Sequence, residues 1–218
     1  MRYYPVNLDI QKRACLVIGG GGVGTRKVKT LLDCGAVVTV VSPEVSAQLE
    51  EMATAGLIIL EKRAYRATDI EGKFLVIGAT DNEALNRRIH ADAEALNTLC
   101  NIADRPEICN FILPAIVNRG DLVIAISTSG KSPAYAKKLR KELENQFGEE
   151  YVPFLRLMGS LREKLLSEKH EPEAHKPLFE KLILAGLLDL IKENRPDEID
   201  ALFLDVLGEG YRYHELIT

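Results

Sequence analysis

Short apolar runs alternate with longer stretches of mixed residues along the first hundred positions of the chain. Short runs rich in β-branched and aliphatic residues are typical of buried parallel strands, and the stretches between them are typical of helices. The predicted strands are Cys15–Ile18, Val37–Val41, Leu57–Leu60, Phe74–Gly78 and Leu99–Ile102. This alternation predicts an α/β fold with a Rossmann-like, doubly wound parallel sheet.

Residues that favour helix ends bound the segments between these strands. A helix is predicted from Val23 to about Cys34, where Gly35 can take the left-handed conformation that ends a helix. Ser42 is predicted to cap a second helix that begins at Pro43. A third helix is predicted from Thr80 to about Asn97.

The pattern changes after Asp104. Two strand-like runs, Phe111–Val117 and Leu122–Ser127, flank turn-forming residues 118–121 and predict an antiparallel hairpin. Pro133 then opens a helix with one apolar stripe, formed by Tyr135, Leu139, Leu143 and Phe147. Further helices are predicted at Val152–Leu166, Pro177–Lys192 and Asp197–Leu207. We therefore expect a Rossmann domain at residues 1–114, a hairpin and helix at 115–146 and a helical region at 147–218.

Composition narrows the class of protein. Apolar residues make up 46% and charged residues 28%, which is an ordinary globular balance. The net charge of −4 argues against nucleic-acid binding. No apolar run is long enough to span a bilayer, and residues 1–5 do not begin a signal peptide, so we expect a soluble cytoplasmic protein. The four cysteines and four histidines form no C-x-x-C or H-x-x-x-H pair, so no metal site is expected.

The glycine cluster at residues 19–24 contains the pattern G-x-G-x-x-G between a predicted strand and a predicted helix. In this context Gly19 permits a tight turn, Gly21 lets the backbone approach a pyrophosphate, and Gly24 lets the helix pack against the strand. Backbone N–H groups at the helix start, including those of Gly22 and Val23, can hold the anion. The pattern indicates a dinucleotide site; a glycine-rich turn without a ligand is the alternative.

The end of the second strand bears on which dinucleotide is bound. An acidic residue commonly holds the ribose hydroxyls there, and an arginine commonly holds a 2′-phosphate. This chain has Ser42 and Pro43 at that place, Glu44 is the nearest acid, and no arginine is adjacent. The sequence therefore favours NAD over NADP.

The segment Ser127–Ser132 ends in the G-K-S of a P-loop. The first glycine of a P-loop is missing, because Ala125 takes its place, so a nucleoside triphosphatase is disfavoured. A polar helix N-terminus followed by a basic run is the more useful interpretation, since it can bind carboxylates or phosphates. A solvated helix face remains the alternative for the basic residues between Arg119 and Lys141.

Several motifs, in order along the chain, resemble the precorrin-2 dehydrogenase/sirohydrochlorin ferrochelatase family, which corresponds to the N-terminal part of siroheme synthase. They are Cys15–Val23 followed by Arg26-Lys27, Gly78–Asp81 followed by Leu85-Asn86, Cys100–Asp104, Phe111–Ala115 and Ser127–Pro133. Each motif alone is weak, but together they cover about the first 145 residues.

The resemblance implies an NAD-dependent enzyme of siroheme biosynthesis that oxidises the tetrapyrrole precorrin-2 to sirohydrochlorin. Some family members also insert Fe²⁺. Asp104 corresponds to the active-site aspartate of the family, and Thr80 joins the cofactor residues. Substrate binding is expected at Asn101, Ser129, Gly130, Lys131 and Ser132. The family forms homodimers through the region after the nucleotide domain, a use that the apolar stripe would suit, although the stripe could equally belong to a core helix.

Two other functions stay open at this point. An NAD-sensing regulatory module would need the glycine turn but not the segments around Asn101 and Pro133. A dehydrogenase for another small substrate would share the fold, because a fold does not determine a substrate.

Overall fold

The computed structural model of the protein describes residues 3–168 and 172–217, except for the side chains of residues 172–174. The chain divides into two compact units, Met1–Leu113 and Pro114–Thr218.

A parallel sheet forms the centre of the first unit. Its strands are β1 (Ala14–Gly20), β2 (Val37–Val45), β3 (Ile58–Glu61), β4 (Leu75–Gly78) and β5 (Leu99–Ile102). They are arranged in the order β3-β2-β1-β4-β5, and every adjacent pair is parallel. The register aligns Ile18 of β1 with Gly78 of β4, and Gly78 with Ile102 of β5. The turns that follow these three strands therefore lie along one edge of the sheet.

Helices cover both faces of this sheet. They are α1 (Gly22–Asp33), α2 (Ala47–Thr54) and α3 (Glu83–Ala95). Val17 of β1 packs in one core with Val28 of α1, while Ile18 packs in the other with Ile89 of α3. Successive residues of a strand point to opposite faces, so a strand buried on both sides is apolar throughout. The predicted doubly wound fold is confirmed.

The predicted helix start at Ser42-Pro43 is wrong. β2 continues to Val45, which pairs with Gly20 after an irregularity in the register of β1. The Ser42 hydroxyl donates to the carbonyl of Glu44 at 2.6 Å instead of capping a helix. Ser46 is the actual cap, since its Oγ accepts a hydrogen bond from the N–H of Leu49. A serine before a proline favours a helix start, but strand pairing here extends past both residues.

Outside β5, Asn110 binds the free edge of the sheet. Its Oδ1 accepts from the N–H of Cys100 at 2.7 Å, and its Nδ2 donates to the carbonyl of Thr98 at 3.0 Å. Its own N–H donates to the carbonyl of Cys100 at 3.2 Å. One residue thus occupies hydrogen-bonding groups that a further strand would use.

The second unit begins with an antiparallel hairpin of β6 (Ala115–Arg119) and β7 (Leu122–Ile126), followed by α4 (Pro133–Gln146). The predicted strand start at Phe111 is wrong, because the carbonyl of Phe111 accepts a hydrogen bond from Asn101 and strand pairing begins at Ala115. The residues of the predicted apolar stripe of α4 lie in different environments. Leu139 and Leu143 pack against Val117 and Ile126 of the hairpin, whereas Tyr135 is 56% exposed. Two of its residues are therefore core residues of this chain.

Helices make up the remainder of this unit. They are α5 (Tyr151–Ser167), α6 (Pro172–Leu184), α7 (Leu187–Lys192), α8 (Pro196–Leu207) and α9 (Tyr213–Leu216). Leu157, Leu187 and Phe203 are fully buried in their shared core. The single helix predicted over Pro177–Lys192 is wrong: Pro177 lies inside α6, and Gly186, with φ of 82°, separates α6 from α7. Within residues 3–168 and 172–217, no helix is both long and apolar enough to cross a membrane.

Candidate active site

The glycine turn, defined as residues 19–24, joins β1 to α1 and leaves no room for side chains at its two ends. Gly19 has φ of 114°, and a Cβ there would lie 2.2 Å from the carbonyl oxygen of Ala79. A Cβ at Gly24 would lie 2.1 Å from the carbonyl oxygen of Gly19. Both distances are far below van der Waals contact, so the turn requires glycine at both positions for packing.

The middle of the glycine turn is open. A Cβ at Gly21 or Gly22 would meet none of the described atoms within 4 Å, and both residues are exposed. Gly21 is the N-cap of α1 and offers no side chain to its first N–H groups, while Val23 is half-buried behind it. Unpaired N–H groups at a helix start attract an anion. This cradle fits the pyrophosphate of a dinucleotide.

Two hydroxyls that the sequence did not single out tie the glycine turn to α2. Thr25 Oγ1 donates to the carbonyl of Gly21 at 3.0 Å and lies 2.8 Å from Ser46 Oγ. The N–H of Ser46 donates to the carbonyl of Gly20 at 2.9 Å. Their only sequence signal is that a hydroxyl residue follows the glycine pattern and another precedes a helix.

The other predicted cofactor residues of this unit lie around the same turn. A Cβ on Gly20 would lie 2.4 Å from the carbonyl oxygen of Glu44, so the end of β2 packs against the glycines. Ser42 is buried, whereas Pro43 and Glu44 are exposed. Thr80 follows the Ala79 carbonyl that Gly19 contacts, and its Oγ1 donates to Asn86 Oδ1 at 2.9 Å. Their role in cofactor binding stays a prediction.

Asp104 is exposed in the turn that follows β5. The N–H of Ala103 donates to the carbonyl of Gly78 at 2.8 Å, which places this turn beside the end of β4. Asp104 has φ of 59°, the left-handed conformation that Asp and Asn tolerate better than most residues. Its carboxylate therefore belongs to the sheet edge where parallel sheets bind ligands.

The charge of Asp104 reaches the first helix. Burial lowers the pKa of Lys27 in α1, and Arg26 lowers it further, while the Asp104 carboxylate opposes both effects. Lys27 lies in the Arg26-Lys27 motif, to which no role was assigned from the sequence. The Asp104 carboxylate therefore lies within electrostatic range of this helix.

Asn101 has a partner inside the protein. It is buried, and its Nδ2 donates to the carbonyl of Phe111 at 3.1 Å. Its contact with a substrate stays a prediction. Nearby, burial raises the pKa of Cys100 to about 12 and also raises that of Cys109, so both are protonated thiols at neutral pH. Across the described part of the chain, no three His, Cys, Asp or Glu side chains form a metal-binding group.

The predicted substrate residues Ser129–Ser132 lie in the second unit, at the start of α4. Ser129 and Gly130 both have positive φ, of 54° and 78°. Ser132 caps the helix, because its Oγ accepts from the N–H of Tyr135 at 3.3 Å, and Lys131 is exposed. The segment is a polar helix start, as the sequence predicts, and its contact with a substrate stays a prediction.

These features define a class. A parallel sheet with β1 at its centre, a glycine turn open at its middle and a helix start behind that turn form a dinucleotide-binding domain of the kind that nicotinamide-dependent enzymes carry. A family model described as "Putative NAD(P)-binding" matches residues 6–115, and one described as "Sirohaem biosynthesis protein central" matches residues 119–146.

Individual relatives agree with these matches. The chain is 35% identical over 212 residues to "Siroheme synthase" of Methylococcus capsulatus and 34% identical over 211 residues to that of Nitrosococcus oceani, covering 97% of this chain and 45% of each relative. Among solved structures, "SirC, precorrin-2 dehydrogenase" superposes with a TM-score of 0.74 at 30% identity, covering 83% of this chain and 89% of that one. The chain belongs to the precorrin-2 dehydrogenase family of siroheme biosynthesis, and it spans about half the length of the curated relatives it matches.

Proposed function

We propose that this protein is an NAD-dependent precorrin-2 dehydrogenase that forms sirohydrochlorin in the cytoplasm. The observation that carries the proposal is the exposed Asp104 carboxylate at the sheet edge that also bears the open glycine turn. The match in fold and sequence to a precorrin-2 dehydrogenase over most of both chains supports the choice of substrate.

The proposed mechanism assigns cofactor binding to the glycine turn and proton transfer to the turn that carries Asp104. The N–H groups at the start of α1 bind the pyrophosphate of the dinucleotide. The nicotinamide supplies a hydride acceptor when it is bound. Removal of two hydrogens as a hydride and a proton leaves the proton to a base, and Asp104 Oδ is the acceptor that we assign. Glu44, exposed at the end of β2, is the carboxylate for the ribose hydroxyls, which favours NAD over NADP.

An assay tests this function directly. The protein is incubated anaerobically with precorrin-2 and either NAD or NADP, and product formation is followed by absorbance. Conversion to sirohydrochlorin with NAD, faster than with NADP, is the expected result. Tight binding of NAD without conversion would instead support a regulatory module, and preference for NADP would overturn the cofactor assignment. Addition of Fe²⁺ separates a dehydrogenase alone from one that also inserts iron.

We propose that residues 115–146 form a homodimer interface and part of the substrate cleft, whereas residues 147–218 form a helical region. Strand pairing places Ile116, Asn118, Val123 and Ala125 on one face of the hairpin, and all four are exposed. The opposite face carries Val117 and Ile126, which are buried. An exposed apolar sheet face suits a twofold interface, where each copy presents the same patch.

Sedimentation tests the dimer. We expect about twice the 24.2 kDa chain mass at micromolar concentration. The pair Ile116→Lys and Val123→Lys should give a monomer, while Leu184→Lys, at an 86% exposed position in α6, should not. A monomeric parent protein, or dissociation by Leu184→Lys alone, would contradict the proposal.

A further inference from the structure

The aspartate turn, defined as residues 102–109, closes on a thiol. Cys109 is buried at its end, and its Sγ accepts a hydrogen bond from the N–H of Ile102 at 3.1 Å. The same Sγ lies 3.3 Å from the carbonyl oxygen of Ile102 and 3.1 Å from that of Arg105. One side chain therefore binds the backbone on both sides of Asp104.

The thiol can perform this double role because it keeps its proton. Burial raises the pKa of Cys109; the hydrogen bond from Ile102 lowers it, and the Glu107 carboxylate raises it again. A protonated thiol is a weak donor as well as a weak acceptor, and its one proton is shared between the two carbonyl groups. A thiolate would lack the donor and face both carbonyl oxygens with a negative charge.

The backbone of Asp104 needs such support. With φ of 59° it is in a conformation that costs an L-residue energy, and its side chain is exposed without burial to fix it. The backbone bonds of this turn from Ala103 to Gly78 and from Arg105 to Ile102 hold its start. On the far side of Asp104, the carbonyl of Arg105 accepts from the N–H of Ile108 at 3.2 Å, and Cys109 adds a second, side-chain bond to that carbonyl.

We propose that Cys109 is a positioning residue for the reaction: its thiol holds the left-handed turn that presents the Asp104 carboxylate. The proposal rests on the proposed function, in which that carboxylate accepts a proton. Asn101, a predicted substrate residue, also donates to this Sγ at 3.7 Å, but its shorter bond to the carbonyl of Phe111, at 3.1 Å, does not involve the thiol. Loss of the thiol should therefore reduce kcat with little change in how NAD or the tetrapyrrole binds.

Cys100 provides a matched control. It is a fully buried cysteine on the neighbouring strand β5, and within the described residues its Sγ makes no hydrogen bond. Replacing either cysteine with alanine removes one buried sulfur atom, but only the change at Cys109 also removes hydrogen bonds to the turn. Cys109→Ser keeps a group that donates and accepts.

The test compares Cys109→Ala, Cys109→Ser and Cys100→Ala with the parent protein in the precorrin-2 assay, together with NAD titration and thermal unfolding. We expect Cys109→Ala to lower kcat about 10-fold with the Kd for NAD and the KM for precorrin-2 within about 2-fold of the parent values. Cys109→Ser should restore about half of the lost kcat or more, and Cys100→Ala should lower Tm without lowering kcat.

Hydrogen exchange supplies a measurement that needs no turnover. Peptides covering residues 102–109 should exchange faster in Cys109→Ala than in Cys100→Ala, with the glycine turn unchanged in both. Unchanged kcat in a folded Cys109→Ala, no recovery in folded Cys109→Ser, or equal loss of kcat in Cys100→Ala would overturn the proposal. Asp104→Asn in the same assay distinguishes failure of the Cys109 proposal from failure of the proposed function. If Asp104→Asn retains full turnover, the role of Asp104 in the proposed function has failed.

Discussion

The glycine turn follows β1 and the aspartate turn follows β5 of the same parallel sheet, yet the two turns are stabilised in opposite ways. The glycine turn gets its shape from absent side chains, since a Cβ at Gly19 or Gly24 would overlap a carbonyl oxygen. The aspartate turn gets its shape from a side chain that binds its backbone, that of Cys109, and the next residue, Asn110, ties the chain to β5. Backbone that must approach a ligand needs empty space, whereas a carboxylate that must be held in place needs anchored neighbours.

This difference predicts a separation of effects. Changes in the glycine turn should alter the binding of the dinucleotide, and changes in the aspartate turn should alter turnover at unchanged binding. Any variant that alters both quantities equally would show that the two turns do not have distinct roles.

The largest effect is expected for Gly21→Asp, which should abolish detectable NAD binding in titration calorimetry. The new side chain would fill the open middle of the turn and place a negative charge against the pyrophosphate. Gly159→Asp is the control, because Gly159 is an exposed helical glycine in the second unit with open space around its Cβ position. Retained NAD affinity in Gly21→Asp would exclude the glycine turn as the pyrophosphate site.

The next effect concerns Asp104. Asp104→Asn should lower kcat by about 10²-fold or more, the usual scale for a lost general base, at unchanged Kd for NAD. Asparagine tolerates the left-handed backbone of Asp104, whereas Asp104→Ala adds conformational strain, so the asparagine variant is the cleaner measurement. Near-normal turnover in both variants would reduce Asp104 to a turn residue.

The smallest effect is expected for Thr25→Val, which removes the hydroxyl between Gly21 and Ser46 at nearly constant volume. The loss of one buried hydrogen bond costs about 1 kcal/mol of folding free energy. We expect a fall of about 3- to 5-fold in NAD affinity, because the glycine turn loses its link to α2. Thr30→Val is the control: its exposed hydroxyl makes the same kind of helical bond, to Arg26, away from the turn. Equal effects of the two variants on NAD affinity would show that the link to Ser46 has no role in binding.

Much of the first unit was predictable from the sequence. Each predicted strand is present, because strands buried on both faces require continuous apolar runs that stand out between polar helices. The glycine turn was predictable for the same kind of reason, since its conformation and close contacts demand particular residues. The helix start at Ser42 was mispredicted because Ser-Pro is a strong local signal, and strand pairing between Val45 and Gly20, which overrides it, is not local.

The residues that hold the backbone of the candidate site in place were less predictable from the sequence. No role was predicted for Cys109 from the sequence, because a cysteine outside a paired motif most often acts as a small buried hydrophobic residue. Only the folded turn shows which backbone groups its thiol reaches. The contact of Thr25 with Ser46 joins residues 21 positions apart through one hydroxyl pair. The division of the α4 stripe was open for a related reason: periodicity identifies an apolar face but not what covers it.

The contact of Asn110 with β5 also bears on how copies of the chain avoid one another. An unpaired outer strand is a template to which a second molecule can add its own strand, and this is a common route to aggregation. Because Asn110 occupies the N–H and carbonyl of Cys100 and the carbonyl of Thr98, those positions are closed to intermolecular strand addition. At the opposite margin, β3 has only four residues and is followed by the charged pair Lys62-Arg63. A short edge strand and charged residues both oppose the addition of a strand from another molecule. The sheet can therefore keep the strand ends of the proposed site exposed while its lateral margins resist polymerisation.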